Sequence, residues 1–274
     1  MKGLIRMVKM RVFEVGYCIH PSCVALKGAS LRVCKFPARA WLLECNDKRW
    51  LLDTGYASHF YDHTRSGIIR LYRTVTPVYF DTKDSLVMQL KEEGIRSRDI
   101  DGIIISHFHG DHIAGLRDFP QAKFICSGEG WQQTRNLRGI AALKQAFVRG
   151  LIPEDFESRA IFYEGFETSS LPEELAILGC GHEVPGSQKQ IFIVPLPGHA
   201  AGHIGLCVLT EQGWVLLAGD AAWSPSNYRE LRGPAKLANI IMDDSRAYYE
   251  TLNKLHQIDQ KHIPIQLCHE GDLA

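Results

Sequence analysis

Six residues near the middle of the chain, 107–112, read His-Phe-His-Gly-Asp-His and follow the apolar run Ile103-Ile104-Ile105 after one residue, Ser106. Imidazole nitrogen and carboxylate oxygen are the ligands that borderline divalent metals such as zinc prefer. Three histidines and an aspartate packed together would repel one another unless a metal neutralised them. Four ligands so close together do not fit one tetrahedral ion comfortably, so the pattern predicts two neighbouring metal ions that share this turn. Its candidate ligands are His107, His109, Asp111 and His112.

Two metals require more ligands than one turn supplies, and three later segments offer them. Residues 197–203 read Pro-Gly-His-Ala-Ala-Gly-His, residues 217–220 read Leu-Ala-Gly-Asp, and residues 267–270 read Leu-Cys-His-Glu. Each segment comes just after a predicted strand, where loops can direct side chains into one shared cleft. A carboxylate can bridge two cations, whereas an imidazole cannot. The further candidates are therefore His199, Asp220 and His269, with Asp220 as the bridging group.

Together these blocks resemble the metallo-β-lactamase superfamily. The signature at 107–112, the Pro-Gly-His block, the Gly-Asp block and the last histidine all match, as do the strand and turn at 51–55. The resemblance runs from about residue 40 to residue 270 and implies an α/β fold, a four-layer αββα sandwich with the metals at one edge of the sheets. It also implies His107, His109 and His199 on the first metal, Asp111, His112 and His269 on the second, and Asp220 between them.

This ligand set predicts a metal-dependent hydrolase. Two cations about 3.5 to 4 Å apart lower the pKa of a bridging water and hold hydroxide at neutral pH, so no side-chain nucleophile is needed. Asp111 and Asp220 are the carboxylates close enough to pass a proton to the leaving group, and we predict them as the catalytic residues. Zinc is the first expectation for both divalent ions, and iron, manganese or cobalt would also suit mixed nitrogen and oxygen ligands.

A more specific resemblance, to the N-acyl-homoserine lactone lactonases, lies in the N-terminal part of the chain. Residues 16–24 and 36–44 are similar to the opening of those enzymes. The resemblance implies a lactone or related carboxylic ester as the small-molecule substrate, quorum quenching as the role, and a homodimer as a possible assembly. One position departs from the pattern: Trp223 stands where those lactonases place a tyrosine that binds the lactone carbonyl. An indole N–H can donate a hydrogen bond but cannot act as an acid.

Length and periodicity predict a single catalytic domain over residues 1–274. Between His112 and His199 lie 86 residues, more than in the lactonases, which predicts a substrate-pocket insertion within 127–188. Aromatic residues in the segment 56–80 either line an apolar entrance or pack a long loop. They are Phe60, Tyr61, Tyr72, Tyr79 and Phe80.

Three other functions share parts of this pattern. A thioesterase similar to glyoxalase II has the same ligands, but the chain lacks room for the helical C-terminal domain of that enzyme. A phosphodiesterase is disfavoured by the formal net charge of zero, which also argues against a nucleic-acid partner. A metal-dependent binding protein without activity is the non-enzymatic alternative.

Composition bears on location as well. No apolar run reaches the length of a membrane span, and residues 1–6 are too short and too charged for a signal peptide. Several of the eight cysteines lie in apolar, strand-like runs, where they act as small hydrophobic residues. We therefore expect reduced thiols, a cytoplasmic location and no membrane partner.

Asp53, in the turn before the signature, is expected to orient the signature loop by accepting hydrogen bonds from a ligand histidine or the backbone. The alternative is an ordinary turn aspartate. His203 is expected to have a supporting rather than a ligand role, and Cys268 to lie near the site without binding metal. Core or surface positions without ligation are expected for His20, His59, His63, His182, His256 and His262.

Hydrophobic periodicity predicts alternating strands and helices. The predicted strands are 11–18, 40–46, 49–53, 101–106, 123–126, 190–195, 203–209, 213–218 and 263–267. Helices are predicted from near Ile113, over 141–149 and over 245–257.

Overall fold

A computed structural model describes residues 7–235, 238 and 241–270. Residues 1–6, for which the sequence predicts no signal peptide, lie outside the described residues. Within the described part of the chain, no helix is long and apolar enough to cross a membrane.

Seven strands form the first sheet. They are β1 (Lys9–Pro21), β2 (Val33–Cys45), β3 (Lys48–Leu52), β4 (Val78–Tyr79), β5 (Gly102–Ile104), β6 (Lys123–Cys126) and β7 (Ala160–Phe162). Their order is β4-β1-β2-β3-β5-β6-β7. The pairs among β1 to β4 are antiparallel, whereas β3, β5, β6 and β7 are parallel neighbours.

Six strands form the second sheet. They are β8 (Thr168–Ser170), β9 (Cys180–Glu183), β10 (Ile191–Pro195), β11 (Ile204–Thr210), β12 (Gly213–Gly219) and β13 (Ile265–Leu267). Their order is β13-β12-β11-β10-β9-β8, and only the β12–β13 pair is parallel.

Helices cover the outer face of each sheet. The α-helices are α1 (Ser22–Ala25), α2 (Ser58–Thr64), α3 (Arg70–Val75), α4 (Leu86–Glu92), α5 (Gly110–Ile113), α6 (Gly128–Thr134), α7 (Gly139–Lys144), α8 (Phe156–Arg159), α9 (Pro225–Arg229) and α10 (Ser245–Gln260). Short 3₁₀ helices span Thr82–Asp84, Ser97–Asp99, Leu116–Asp118, Arg149–Leu151, Tyr163–Gly165 and Glu173–Leu178.

The core has three layers because both faces of each sheet are buried. Successive side chains of a strand point to opposite faces. In β2, Trp41 and Leu43 pack between the sheets, with Ile193 and Leu206 of the second sheet. Leu42 faces the helices outside the first sheet. On the far side, Leu216 packs against buried residues of α10, among them Leu252, Leu255 and Ile258. The predicted αββα sandwich is confirmed.

Strand direction brings four loops to one edge of the sandwich. β10 and β12 run the same way because both are antiparallel to β11, and β13 is parallel to β12. Their carboxyl ends therefore lie together, and the segments that follow them carry His199, Asp220 and His269. The turn after β5 faces this edge from the first sheet.

Two predicted helices are wrong in their extent. The helix predicted from Ile113 is instead the short α5, which ends there, because the backbone N–H and hydroxyl of Thr54 both donate to the His112 carbonyl at 2.9 Å. The helix predicted over 141–149 is α7, which ends at Lys144. Ala146 has a φ of 44°, in the left-handed region, and cannot continue it. Short elements such as β4, β7, β8 and β9 were not predicted.

Candidate metal centre

The structure brings all seven predicted ligands together at this edge, and every one of them is buried. The turn after β5 and helix α5 supply His107, His109, Asp111 and His112. The other three come from the loops after β10, β12 and β13.

Three imidazoles form a first group. His107, His109 and His199 each have one ring nitrogen within 4.8 Å of a ring nitrogen of the other two. His109 Nδ1 and His199 Nε2 lie 3.1 Å apart. The ring centroid of His107 is 4.4 Å from that of His109 and 4.8 Å from that of His199.

His112, His269 and Asp111 form a second group beside the first. His269 Nε2 lies 3.1 Å from Asp111 Oδ2, and His112 Nε2 lies 3.9 Å from the same oxygen. The second group thus combines two imidazoles with a carboxylate.

Asp220 lies between the two groups. Its Oδ2 is 3.3 Å from His199 Nε2 of the first group and 3.3 Å from His269 Nε2 of the second. Its Oδ1 is 3.4 Å from His112 Nε2. This position is the one required of a carboxylate that bridges two cations.

Hydrogen bonds fix which nitrogen each imidazole of the second group presents. His112 Nδ1 is 2.7 Å from Asp53 Oδ2, and His269 Nδ1 is 2.6 Å from the Pro37 carbonyl. In both rings the Nδ1 proton is therefore held by an oxygen, so Nε2 is the nitrogen that faces the other candidate ligand atoms. The predicted hydrogen bond to Asp53 is present, and its donor, His112, is a candidate ligand.

Burial and neighbouring charge give the two groups different protonation. Burial lowers the pKa of His109 to about 4 and those of His107 and His199 well below the usual value. These rings are neutral at pH 7, as metal ligation requires. Burial also disfavours charge on His269, but Asp220, Cys268 and Asp111 together outweigh it and raise the pKa of His269 well above the usual value. Burial would likewise raise the pKa of Asp220, but His269 and His112 lower it well below the usual value.

The geometry fits divalent cations. With zinc–nitrogen distances of about 2.0–2.1 Å, neighbouring ligand atoms of a tetrahedral ion lie about 3.3 Å apart. The shorter distances above, 3.1–3.4 Å, agree with that spacing. Among the described residues, His107 Nε2, His112 Nε2 and Asp220 Oδ1 are buried without a hydrogen-bond partner, which is costly unless a cation satisfies them.

His203 lies beside the site without offering a free nitrogen. Its Nδ1 is 2.9 Å from the Leu196 carbonyl, and its Nε2 accepts the backbone N–H of Asp220 at 3.2 Å. Its predicted supporting role is therefore confirmed: it holds the loop that carries Asp220.

Cys268 lies closer to the second group than its expected role implied. Its sulfur can come within 4.8 Å of ligand atoms of His112, Asp220 and His269. However, the thiol accepts the backbone N–H of Arg39 at 3.3 Å and donates to the carbonyl of Arg39. Burial raises the pKa of Cys268 to about 11, so it is a neutral thiol at pH 7.

Trp223 contacts the centre directly, which the sequence did not reveal. Its indole N–H donates to Asp220 Oδ2 at 3.1 Å, and its ring meets that of His199 edge-on at 5.5 Å between centroids. The sequence placed this residue where the lactonases have a tyrosine that binds the lactone carbonyl, but it did not show the contacts with Asp220 and His199.

A groove of about 620 Å³ lies near His269, and none of the seven candidate ligands lines it. Two residues that line it are close to His269. The Pro37 carbonyl accepts a hydrogen bond from His269, and Glu270 is the next residue in the chain. Tyr79 and Phe80 also line it, with Tyr79 stacked on Tyr17. Of the aromatic segment 56–80, these two residues thus reach the groove, whereas Phe60 and Tyr72 pack in the core.

Comparisons with known proteins agree with this fold. Residues 35–263 match the family described as the metallo-beta-lactamase superfamily. A probable metallo-hydrolase of Mycobacterium tuberculosis is 25% identical over 236 residues, which cover 85% of this chain and 71% of that protein. The N-acyl homoserine lactonase AiiB of Agrobacterium fabrum is 25% identical over 234 residues, covering 83% of this chain and 77% of that protein.

A solved structure of an N-acyl homoserine lactone hydrolase, with N-hexanoyl-L-homoserine bound at its catalytic metal centre, shares the fold. It has a TM-score of 0.72 at 20% identity and covers 97% of this chain and 94% of its own. The chain belongs to the metallo-beta-lactamase superfamily. Within it, the chain is a metal-dependent hydrolase that resembles the N-acyl homoserine lactonases.

Proposed function

We propose that this hydrolase uses two divalent cations to open a lactone or cleave a related carboxylic ester, and that N-acyl-homoserine lactones are the first class to test. The position of Asp220 between two groups of candidate ligands carries the proposal. The first cation would be held by His107, His109 and His199, the second by Asp111, His112 and His269, with Asp220 shared.

Bound divalent cations would supply Lewis acidity and a water of lowered pKa. The chain's residues then have defined tasks. Neutral His107, His109 and His199 keep lone pairs available at pH 7, and Asp53 and the Pro37 carbonyl hold the other two imidazoles in the ligating tautomer.

Asp111 and Asp220 are the proposed proton carriers. Asp111 Oδ2 and Asp220 Oδ2 lie within 3.3 Å of His269 Nε2, so both carboxylates face the same small volume. An oxygen at this position can accept the proton that the attacking water loses and return it to the leaving alkoxide.

We propose a small-molecule substrate on the strength of the similar proteins. The similar proteins that act on N-acyl homoserine lactones make a lactone carbonyl the first substrate to test.

We also propose that the chain acts as one catalytic domain, because both sheets contribute candidate ligands. The segment 127–188 would shape access to the centre: Gly110, between His109 and Asp111, donates its N–H to the Ala146 carbonyl at 3.0 Å.

The described cysteines are all unpaired, which supports the cytoplasm as the proposed location. A homodimer stays a prediction for solution measurement.

Substrate panels with quantified metal test the proposal. Purified protein, its metal content measured, would be assayed with lactone, thioester and phosphodiester substrates before chelation, after chelation and after zinc, iron, manganese or cobalt is restored. We expect lactone or ester turnover that disappears with the metal and returns with it. Faster thioester turnover would favour the glyoxalase-II-like alternative, and metal binding without any turnover would indicate a binding protein.

A further inference from the structure

The Trp223 side chain contacts two of the candidate ligands, Asp220 and His199. Its indole N–H donates to Asp220 Oδ2 at 3.1 Å, and its ring meets the His199 ring at an interplanar angle of 82°. It therefore touches both the carboxylate shared by the two candidate groups and one imidazole of the first group.

The backbone around Trp223 is firmly held. The N–H groups of Trp223 and Ser224 both donate to Asn227 Oδ1, at 3.0 and 2.9 Å. Asn227 is fully buried, and its own Nδ2 donates to the carbonyls of Ala25 and Arg232. The main chain from which the indole projects is therefore held by hydrogen bonds that involve no ligand.

The hydrogen bond constrains the orientation of the Asp220 carboxylate. Trp223 engages Oδ2, whereas Oδ1 is buried without a hydrogen-bond partner among the described residues and lies 3.4 Å from His112 Nε2. A second hydrogen bond restrains the main chain of Asp220, whose N–H donates to His203 Nε2. With both the backbone and one oxygen fixed, the carboxylate loses much of its freedom to rotate.

We infer that Trp223 is a positioning residue, which holds the Asp220 carboxylate in the orientation that two cations would share. The inference rests on the proposed metal centre. Because the single indole N–H is committed to Asp220, Trp223 has no second donor for the oxygen of a substrate. A bond from a neutral donor to a ligand carboxylate of this kind supports metal affinity, and its loss typically costs about 10- to 100-fold.

The test uses the full chain with zinc as the probe. Affinity would be measured by competition with a chelator in the wild type, in Trp223→Phe and in Trp214→Phe. Trp214 is a matched control because it is also half-buried but packs on Phe192, outside the centre. We expect the more weakly held zinc to bind about tenfold less tightly in Trp223→Phe, and no change in Trp214→Phe.

A spectroscopic measurement removes the dependence on how well the variant folds. The five tryptophans give five indole N–H resonances in a ¹⁵N-labelled protein, and those of Trp223 and Trp214 are assigned by their loss in the two variants. The Trp223 resonance should shift on zinc addition and in Asp220→Asn, while that of Trp214 stays in place.

The failures of the two ideas are distinguishable. Wild-type protein that takes up two zinc ions, with an unmoved Trp223 resonance and equal affinity in Trp223→Phe, overturns the positioning role and leaves the proposed function standing. Wild-type protein that takes up none of zinc, iron, manganese and cobalt overturns both.

Discussion

Asp53 and His112 form a fully buried carboxylate–imidazole pair, with 2.7 Å between Oδ2 and Nδ1. The same carboxylate accepts the backbone N–H and the hydroxyl of Ser106, at 2.8 and 2.7 Å. Asp53 has a φ of 59°, a left-handed conformation that aspartate and asparagine tolerate better than most residues. One side chain thus joins the end of β3 to the start of the metal turn and sets the tautomer of a candidate ligand.

Asp53→Asn should lower the affinity of the second group of ligands for its cation more than it lowers the stability of the fold. Asparagine tolerates the left-handed backbone, but an amide N–H facing His112 Nδ1 would force the ring proton onto Nε2, the nitrogen that the cation needs. We expect metal affinity to fall about 10- to 100-fold, measured by competition with a chelator. Asp118→Asn is the matched control, because Asp118 also pairs with an imidazole, His59, at 2.9 Å but outside the centre. Equal losses in the two variants would contradict the tautomer argument.

Asp220→Asn should reduce the bound metal from about two ions to about one per chain and remove most of the activity. An amide has one carbonyl oxygen and no negative charge, so it cannot serve both groups of ligands. Metal content by mass spectrometry and turnover on the best substrate would be measured on the same preparation. Full metal occupancy at a normal rate would refute the bridging role.

Cys268→Ser should leave the metal content unchanged. The thiol of Cys268 is engaged in both directions with the backbone of Arg39, and a neutral thiol is a poor ligand. In the cobalt-substituted protein we expect no thiolate-to-cobalt charge-transfer band. Such a band in the wild type that disappears in Cys268→Ser would show that the cysteine binds metal.

Gly198→Ala should destabilise the protein by about 3 kcal/mol or more. Gly198 has a φ of 123°, and an added Cβ would lie 2.1 Å from the backbone nitrogen of Tyr248 in α10. Gly186→Ala is the control: it shares a positive φ, 88°, but has open space around it, so we expect a cost of about 1 kcal/mol. Chemical denaturation measures both. Similar costs would mean that contact with α10 does not fix the Pro-Gly-His turn.

The sequence determined the kind of centre because its signals are local. Four candidate ligands stand within six residues, and the other three come after apolar runs whose periodicity identifies them as strands. Strands that run in the same direction deliver the loops at their carboxyl ends to one edge of a sheet, so the ligand types and their convergence were predictable. The αββα layers were predictable from the resemblance, together with the alternation of predicted strands and helices.

Tertiary structure alone decided how those ligands are held. The Pro37 carbonyl beside His269, the Arg39 backbone around Cys268 and the indole of Trp223 on Asp220 join residues far apart in the chain or depend on side-chain direction. The ends of α5 and α7 were set by Thr54 and by the backbone of Ala146, which hydrophobic periodicity does not register. The physical reason is common to all of these: a pattern records which side chains are apolar or can bind metal, whereas hydrogen-bond direction depends on distances between distant segments after they have packed.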